Sequence, residues 1–296
     1  MSYDNYTFDE QEVYISGVFL DGVQSVATNF AYPLKDELSL GYRNPISDAL
    51  DGELNGDFSV NRLVVSQEDP VTGYFEEGVS GHLSYGENSA YVFQTGLISH
   101  YSCTCEINEI PQLDFTMETW GKVFGTPDVE GSMAGPEVNN NYDIFLPSPG
   151  DLEIQVTDCA GGHILDLTTN AVRSFEYNIN VEWEPLTTIG SQNPRGFFPK
   201  TPVVVEAILT IELNDFIPPN FMEEICQPIY KHLTLRVNAC KTDCAAPSTL
   251  IRQFIVPNGR LVEVNNFSDI DDVLITELVF RSTSTSVRFL KNLVGK

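Results

Sequence analysis

Basic residues are scarce in this chain. In 296 residues, 16 Lys and Arg stand against 42 Asp and Glu, giving a formal net charge of −26 and a pI near 4.2. No Lys/Arg stripe is available to grip phosphate backbones, which argues against direct attraction to nucleic acid or to an anionic membrane. Long apolar runs are also missing, since charge, Gly or Pro interrupts every strong one, and none approaches the roughly 20 residues that a helical crossing needs. The opening MSYDNYTFDEQE has acidic residues and no basic one, unlike a secretory signal or an Arg-rich transit peptide. The expectation is a soluble protein made in a cytoplasm, with no membrane insertion.

Cysteine is too sparse, at six residues, for a disulfide scaffold. Cys103 and Cys105 are two apart in a strand-like run, so they share a sheet face but sit too close along the chain for an easy bridge. Cys159, His163, Cys240 and Cys244 make a four-ligand zinc set only on paper, because neither CxxxC nor CxxxH is a strong zinc spacing. The expectation is no metal and no cofactor.

Catalytic signatures are missing too: no GxSxG, no GxxxxGK[ST], no HExxH, and no GxGxxG after a strand. His82, His100, His163 and His232 are scattered. Acidic neighbours such as Glu76 with Glu77, Glu223 with Glu224, and Asp271 with Asp272 are what 42 carboxylates produce by composition. They read as solvated surface rather than as a glycosidase dyad or a Ca²⁺ site. The chain is expected not to be an enzyme.

What is present is strand-forming sequence. Short runs rich in Val, Ile, Thr, Phe and Tyr, such as DFSVNRLVV, QLDFTMETW, SFEYNINVEW, TPVVVEAILTIEL and HLTLRVNA, alternate with Gly, Pro, Asn and Asp. The chain therefore reads as mainly β. Helical pattern is confined to two stretches, 69–78 and the better 219–230, where Phe221, Ile225 and Ile229 share a face although Pro228 must end the run or mark its last turn, so one short helix per half is expected.

The Pro/Gly/Asn-rich stretch near the middle of the chain reads as a linker and invites a search for a repeat. Residues 22–45 align without gaps on 171–194 at an offset of 149, with identities at Val23/Val172, Ser25/Ser174, Asn29/Asn178, Gly41/Gly190, Asn44/Asn193 and Pro45/Pro194. A weaker match places 109–120 on 269–280 at an offset of 160, which implies an insertion in the second half around Cys240 to Pro247. The resulting organisation is an N-terminal arm at 1–12, a β-domain at 13–125, a linker at 126–149, and a second similar β-domain with a C-terminal arm at 150–296. The halves differ in surface: residues 1–148 have 4 basic and 24 acidic groups, a net of −20, and residues 149–296 have 12 and 18, a net of −6.

Each half also has a long polar segment between strand runs, 33–56 and 184–200, read as a loop long enough to reach a neighbour. Leu38, Leu40 and Tyr42 in the first and Phe197 and Phe198 in the second are the apolar groups expected to anchor such a contact.

These residues have a resemblance. GLISHYSCTCEINEIPQLDFTMETWGKVFG at 96–125, with the GVQSV strand at 22–26, the loop ending in GYRNP and the DFSVNRLVV strand, looks like the tail tube proteins of long-tailed bacteriophages. The resemblance implies two tandem β-sandwich or barrel domains of tail-tube type, each with a short flanking helix. In that family, strands from six domains join into an inner barrel and a long loop reaches the adjacent ring. A two-domain chain would then form trimers as pseudo-hexameric rings, stacked as a tube in the virion, with Leu38, Leu40, Tyr42, Phe197 and Phe198 between rings. The implied partners are further copies of the chain, the tail terminator, tip or baseplate proteins, a tape measure protein in the lumen, and double-stranded DNA passing without specific binding. A related ring or baseplate component of the same fold, or a β-sandwich adhesion module, is the alternative.

Overall fold

The structure is a computed structural model that describes residues 11–31, 34–37, 47–50, 55–64, 71, 75, 78–85, 89–120, 151–158, 163–167, 171–188, 194–212, 223, 226, 230–239, 249–267, 274–285 and 293–295. The expectation of a mainly β chain holds: among the described residues seventeen strands are present and every pairing is antiparallel. In the first half they are β1 (Gln11–Ile15), β2 (Val18–Phe19), β3 (Val23–Ala31), β4 (Leu34–Glu37), β5 (Ser47–Leu50), β6 (Asn55–Leu63), β7 (Val79–Tyr85), β8 (Ser89–Glu106) and β9 (Gln112–Trp120). The second half supplies β10 (Leu152–Asp158), β11 (His163–Leu167), β12 (Val172–Leu186), β13 (Gly196–Glu212), β14 (Lys231–Ala239), β15 (Thr249–Phe267), β16 (Ile275–Ser284) and β17 (Val294–Gly295). Fifteen strands form one hydrogen-bonded network, and β4 with β5 forms a separate hairpin.

The halves have the same strand order. The first runs β2-β1-β7-β8-β9-β6-β3 and the second β11-β10-β14-β15-β16-β13-β12. Registers agree as well. Val26 pairs with Val60 and Phe175 with Leu209, a common offset of 149. Ladder irregularities recur at matching places: Val23/Ser25 with Val172/Ser174, Val79/Gly81 with Lys231/Leu233, and Ile98/His100 with Leu261/Glu263. A bulge adds a residue and bends its strand, so three shared bulges mean that the two halves bend alike.

One part of the sequence alignment is corrected by the pairing. Phe115 faces Tyr101 as Leu278 faces Val264, so β8 and β9 map on β15 and β16 at an offset of 163, not 160. For β7 and β14 the offset is 152, from Leu83 opposite Val13 and Leu235 opposite Ile154. The step between those two offsets falls in the β14–β15 connection, where Cys240 to Pro247 lies.

The core is built by alternation. Phe175, Tyr177, Ile179, Val181 and Trp183 of β12 and Val203, Val205, Ala207, Leu209 and Ile211 of β13 turn inward and are buried, while their sequence neighbours face out. Rings join facing layers within each half: Phe58 of β6 lies 5.0 Å from Phe93 of β8, and Tyr177 of β12 lies 4.9 Å from Phe254 of β15. The packing leaves no room at Gly81, where a Cβ would fall 2.4 Å from the Phe93 ring.

Within the two stretches expected to be helical, the described residues are Val71, in a 3₁₀ turn and buried, Phe75, also buried, Gly78, exposed and outside any helix, Glu223 and Cys226, both α-helical and exposed, and Tyr230, exposed and outside any helix. The central linker, Cys159, Cys240, Cys244, Leu38, Leu40 and Tyr42 lie outside the described residues. Cys103 and Cys105 are buried free thiols with sulfurs 3.9 Å apart, in keeping with their shared face.

Candidate functional site

The halves are joined edge to edge. The end of β8 pairs with β12 from His100 opposite Asn180 to Glu106 opposite Ser174. On the core side of this joint, Tyr101, Cys103 and Cys105 lie against Ile179, Tyr177 and Phe175, all buried. On the opposite face, the His100 ring nitrogen Nδ1 is hydrogen-bonded to Asn180 Oδ1 at 2.8 Å. The joint continues past the paired residues, because Trp183 donates from Nε1 to the Ile98 carbonyl at 2.9 Å and the Phe197 ring lies 4.4 Å from the Trp120 ring.

The counterparts of these two edges are open. β3 corresponds to β12, yet β3 has only β6 as a neighbour among the described residues, and Ser25, Ala27, Thr28, Asn29 and Ala31 are exposed. The last part of β15 corresponds to the end of β8, yet from Arg260 to Phe267 its only neighbour among the described residues is β16. Val262 and Phe267 there are 51% and 54% exposed. An unpaired strand edge is a template for another strand, and proteins cover or blunt such edges unless they use them. This molecule has one of each kind, on different halves.

The sheet that runs through the joint has an acidic outer face. Period-two alternation and the registers place Asp57, Asp114, Glu118, Glu176, Glu182, Glu206, Glu263 and Glu277 on it, against Lys200, Arg260 and Arg281. Polar rungs cross it, including Asn61 to Asp114 at 2.6 Å, Ser59 with Thr116 at 2.9 Å, and Asn265 to Glu277 at 3.0 Å.

Glu118 is the outlier on that face. Burial pushes its carboxyl up to about 7, the Asp57 carboxylate beside it adds to the rise, Lys200 draws it back down, and Glu182 raises it again. Its counterpart in the second half is Arg281, which meets Glu206, the counterpart of Asp57, at 2.6 Å. The same rung is thus acid against acid in one half and an ion pair in the other. Because the folded value lies above the ordinary carboxyl value, the unfolded chain releases this proton first, and stability falls as pH rises from about 4.5 to 7. Glu118→Gln should therefore stabilise the fold at pH 8 by about 1 kcal/mol, after discounting for a half-exposed group, and change little at pH 4. Thermal melts of both proteins at the two pH values check this, and equal gains at both would assign the effect to packing instead.

Both segments expected as long loops contain hairpin strands among their described residues. Residues 184–186 and 196–200 continue β12 and β13, with Pro185 opposite Phe197 and Leu186 opposite Gly196. In the first half, Leu34 pairs with Leu50 and Glu37 with Ser47, the same registers at the same offset of 149. Proline and polar residues in both segments mask the strand pattern from periodicity alone. Of the proposed anchors, Phe197 is turned onto Trp120 and the core of its own chain, so it is not an exposed contact group. Phe198 is 56% exposed and Leu186 41%. The sequence reading missed β3 and the end of β15 as open edges. The signal was a contrast within the repeat: Val262 and Phe267 stand where the first half has Ser99 and Thr104.

No family model matches the chain, and no curated protein sequence matches it. No cluster of metal-ligating side chains occurs among the described residues.

Proposed function

We propose that this chain is a structural subunit that closes head to tail into a ring, with three copies supplying six equivalent units, and that the rings stack as the tail tube of a long-tailed phage. The supporting observation is the unequal fate of equivalent edges: β8 and β12 are joined inside the chain, while among the described residues the last part of β15 and β3, their counterparts, each have one edge without a neighbour. Repeating the internal joint between chains pairs Glu263 with Ala31, Val264 with Phe30, and Asn265 with Asn29 of the next copy. A heterologous contact whose rotation closes gives a ring in which neither β3 nor the end of β15 remains an edge.

In such a ring the acidic outer face of the joined sheet lines the channel. Carboxylates there repel phosphates, so a duplex passes without adhering. The tail-tube assignment itself rests on the resemblance in 22–65 and 96–125. Native mass spectrometry together with negative-stain microscopy tests the reading: the expected result is a trimer as the smallest stable oligomer, with rings or tubes at higher concentration. A two-fold symmetric dimer that does not polymerise would overturn it.

A further inference from the structure

We propose that the pocket at the bend of β15 is a binding site for a small organic carboxylate with an aromatic or apolar body, its charge met by Arg260 and Arg281. The inference goes beyond the ring reading and does not depend on it. The pocket has a volume of about 660 Å³ and is lined by Tyr230, Asn258, Arg260, Val262, Arg281 and Thr283. That volume falls within the roughly 300–1,000 Å³ of cavities that hold whole small molecules, so a bare ion would leave most of it empty.

The charge in the pocket is out of balance. Arg260 on β15 and Arg281 on β16 are directly opposite each other, and like charges on one rung of an antiparallel pair repel. In a chain of net charge −26, with acids in excess on the same face, composition alone does not put two arginines on one rung. Glu206, opposite Arg281 on β13, answers that arginine: its Oε2 accepts from Arg281 Nε at 2.8 Å and from Nη2 at 2.6 Å. Arg260 pairs with no carboxylate among the described residues. It is held instead by Tyr230, whose ring centre lies 4.0 Å from the guanidinium and whose hydroxyl accepts from it. Two guanidiniums and one carboxylate leave a single positive charge, which one carboxylate on a ligand balances. The stack on Tyr230 sets the plane of the Arg260 fork before a ligand arrives, as two-pronged recognition of a carboxylate requires. Val262 and Tyr230, 51% and 48% exposed, offer an apolar wall and an aromatic ring to the ligand's body.

The repeat supplies an internal control. The offset of 163 takes Asn258, Arg260, Val262, Arg281 and Thr283 to Thr95, Leu97, Ser99, Glu118 and Trp120. Lys231 opposite Gly259 corresponds to Val79 opposite Gly96, so Tyr230 falls on Gly78. None of the six lining residues is shared, although the strand order, registers and bulges around them are. In the first half the position is filled: a Cβ on Gly78 would lie 2.7 Å from the Thr95 side chain, and Trp120 is buried, with the Phe197 ring 4.4 Å away. The scaffold therefore does not require the cavity or its arginines, and both belong to the second half alone.

Ligand-observed NMR titration of the full chain at low ionic strength tests the site, with 2-naphthoate as the probe. 2-Naphthamide, which keeps the rings without the charge, and acetate, which keeps the charge without the rings, should each bind at least tenfold more weakly. Arg260→Gln should weaken 2-naphthoate at least tenfold, and Arg260→Lys, which keeps the charge without the fork, by about threefold. Thr283→Trp, the residue of the filled half, should abolish binding. Lys200→Gln, a cation removed from the same face outside the pocket, should leave the affinity within about twofold. Melting curves show which variants remain folded, and Arg260→Gln decides the matter if Thr283→Trp does not. Binding of 2-naphthoate no tighter than that of the amide or of acetate, or equal binding by Arg260→Gln, would overturn the proposal. Tighter binding of a short oligothymidylate, lost in Arg260→Gln, would overturn the carboxylate assignment in favour of a phosphodiester.

Discussion

Replacing Phe254 with alanine should cost about 3–5 kcal/mol of folding stability, the range for removing a buried aromatic ring and leaving a cavity. Phe254 is fully buried on β15, in the part of that strand which pairs with β14 and β17. Its ring meets Phe175 at 5.8 Å, edge on, and Tyr177 at 4.9 Å, both on β12. These contacts tie the layer containing β14 to the layer containing β12. The Tyr177 hydroxyl, held protonated by its burial, adds a bond to the Ile255 carbonyl at 3.0 Å. Neighbouring side chains come from paired strands and have little freedom to collapse into the space. Because β12 is also the strand that joins the two halves, the loss should reach the β8–β12 joint. Denaturant titration monitored by far-ultraviolet circular dichroism measures the cost, and a loss below about 1 kcal/mol would mean that the layers are not held together at this point.

Most of the framework is legible from local pattern. The alternation in QLDFTMETW and SFEYNINVEW becomes β9 and β12, whose inward residues are those the period of two selects. The run EVYISGVFL at 12–20 is not one strand but holds the hairpin β1–β2, because Ser16 and Gly17 both take positive φ, at 52° and 76°, in a two-residue turn. The largest omission is β15. Pro257-Asn258-Gly259 in its middle has the composition of a turn, and Asn258 does have a φ of 52°. The chain does not reverse there. It stops pairing with β14 at Gly259 and is paired with β16 from Arg260 onward, so the turn residues mark the bend where one strand passes from one layer to the other. A composition rule sees the bend and not the strand that continues through it.

The candidate surfaces were harder to read for a different reason. Whether an edge is open depends on which strands lie beside it, and that is a long-range property. Ser25, Ala27, Asn29 and Ala31 are exposed on β3, while Asn178 and its neighbours on β12 hold the joint to β8, although Asn29 and Asn178 are the same residue at corresponding positions. Only the pairing separates them. The charge reversal has the same character: Glu118 and Arg281 are unremarkable singly and become informative once the offset of 163 is fixed by strand register rather than by sequence similarity.

The measurement that bears most directly on the account is a disulfide trapped across the expected joint between chains. Within the chain Ser102 lies opposite Asn178, and their counterparts are Asn265 and Asn29. Directly opposed residues of antiparallel strands have Cα atoms about 4.5–5.5 Å apart, within the span a disulfide bridges. Asn29→Cys with Asn265→Cys in one chain, oxidised gently and run without reductant, should give bands of two and three chains, with the trimer closed and no longer ladder. The single substitutions set the background from native thiols such as the exposed Cys226. Asn29→Cys with Glu263→Cys, two residues out of register, should cross-link weakly or not at all. The account predicts a closed covalent trimer from the first pair alone. Cross-linking that favours the shifted pair, that runs on into an open ladder, or that does not exceed the single-cysteine background in assembled protein would contradict it.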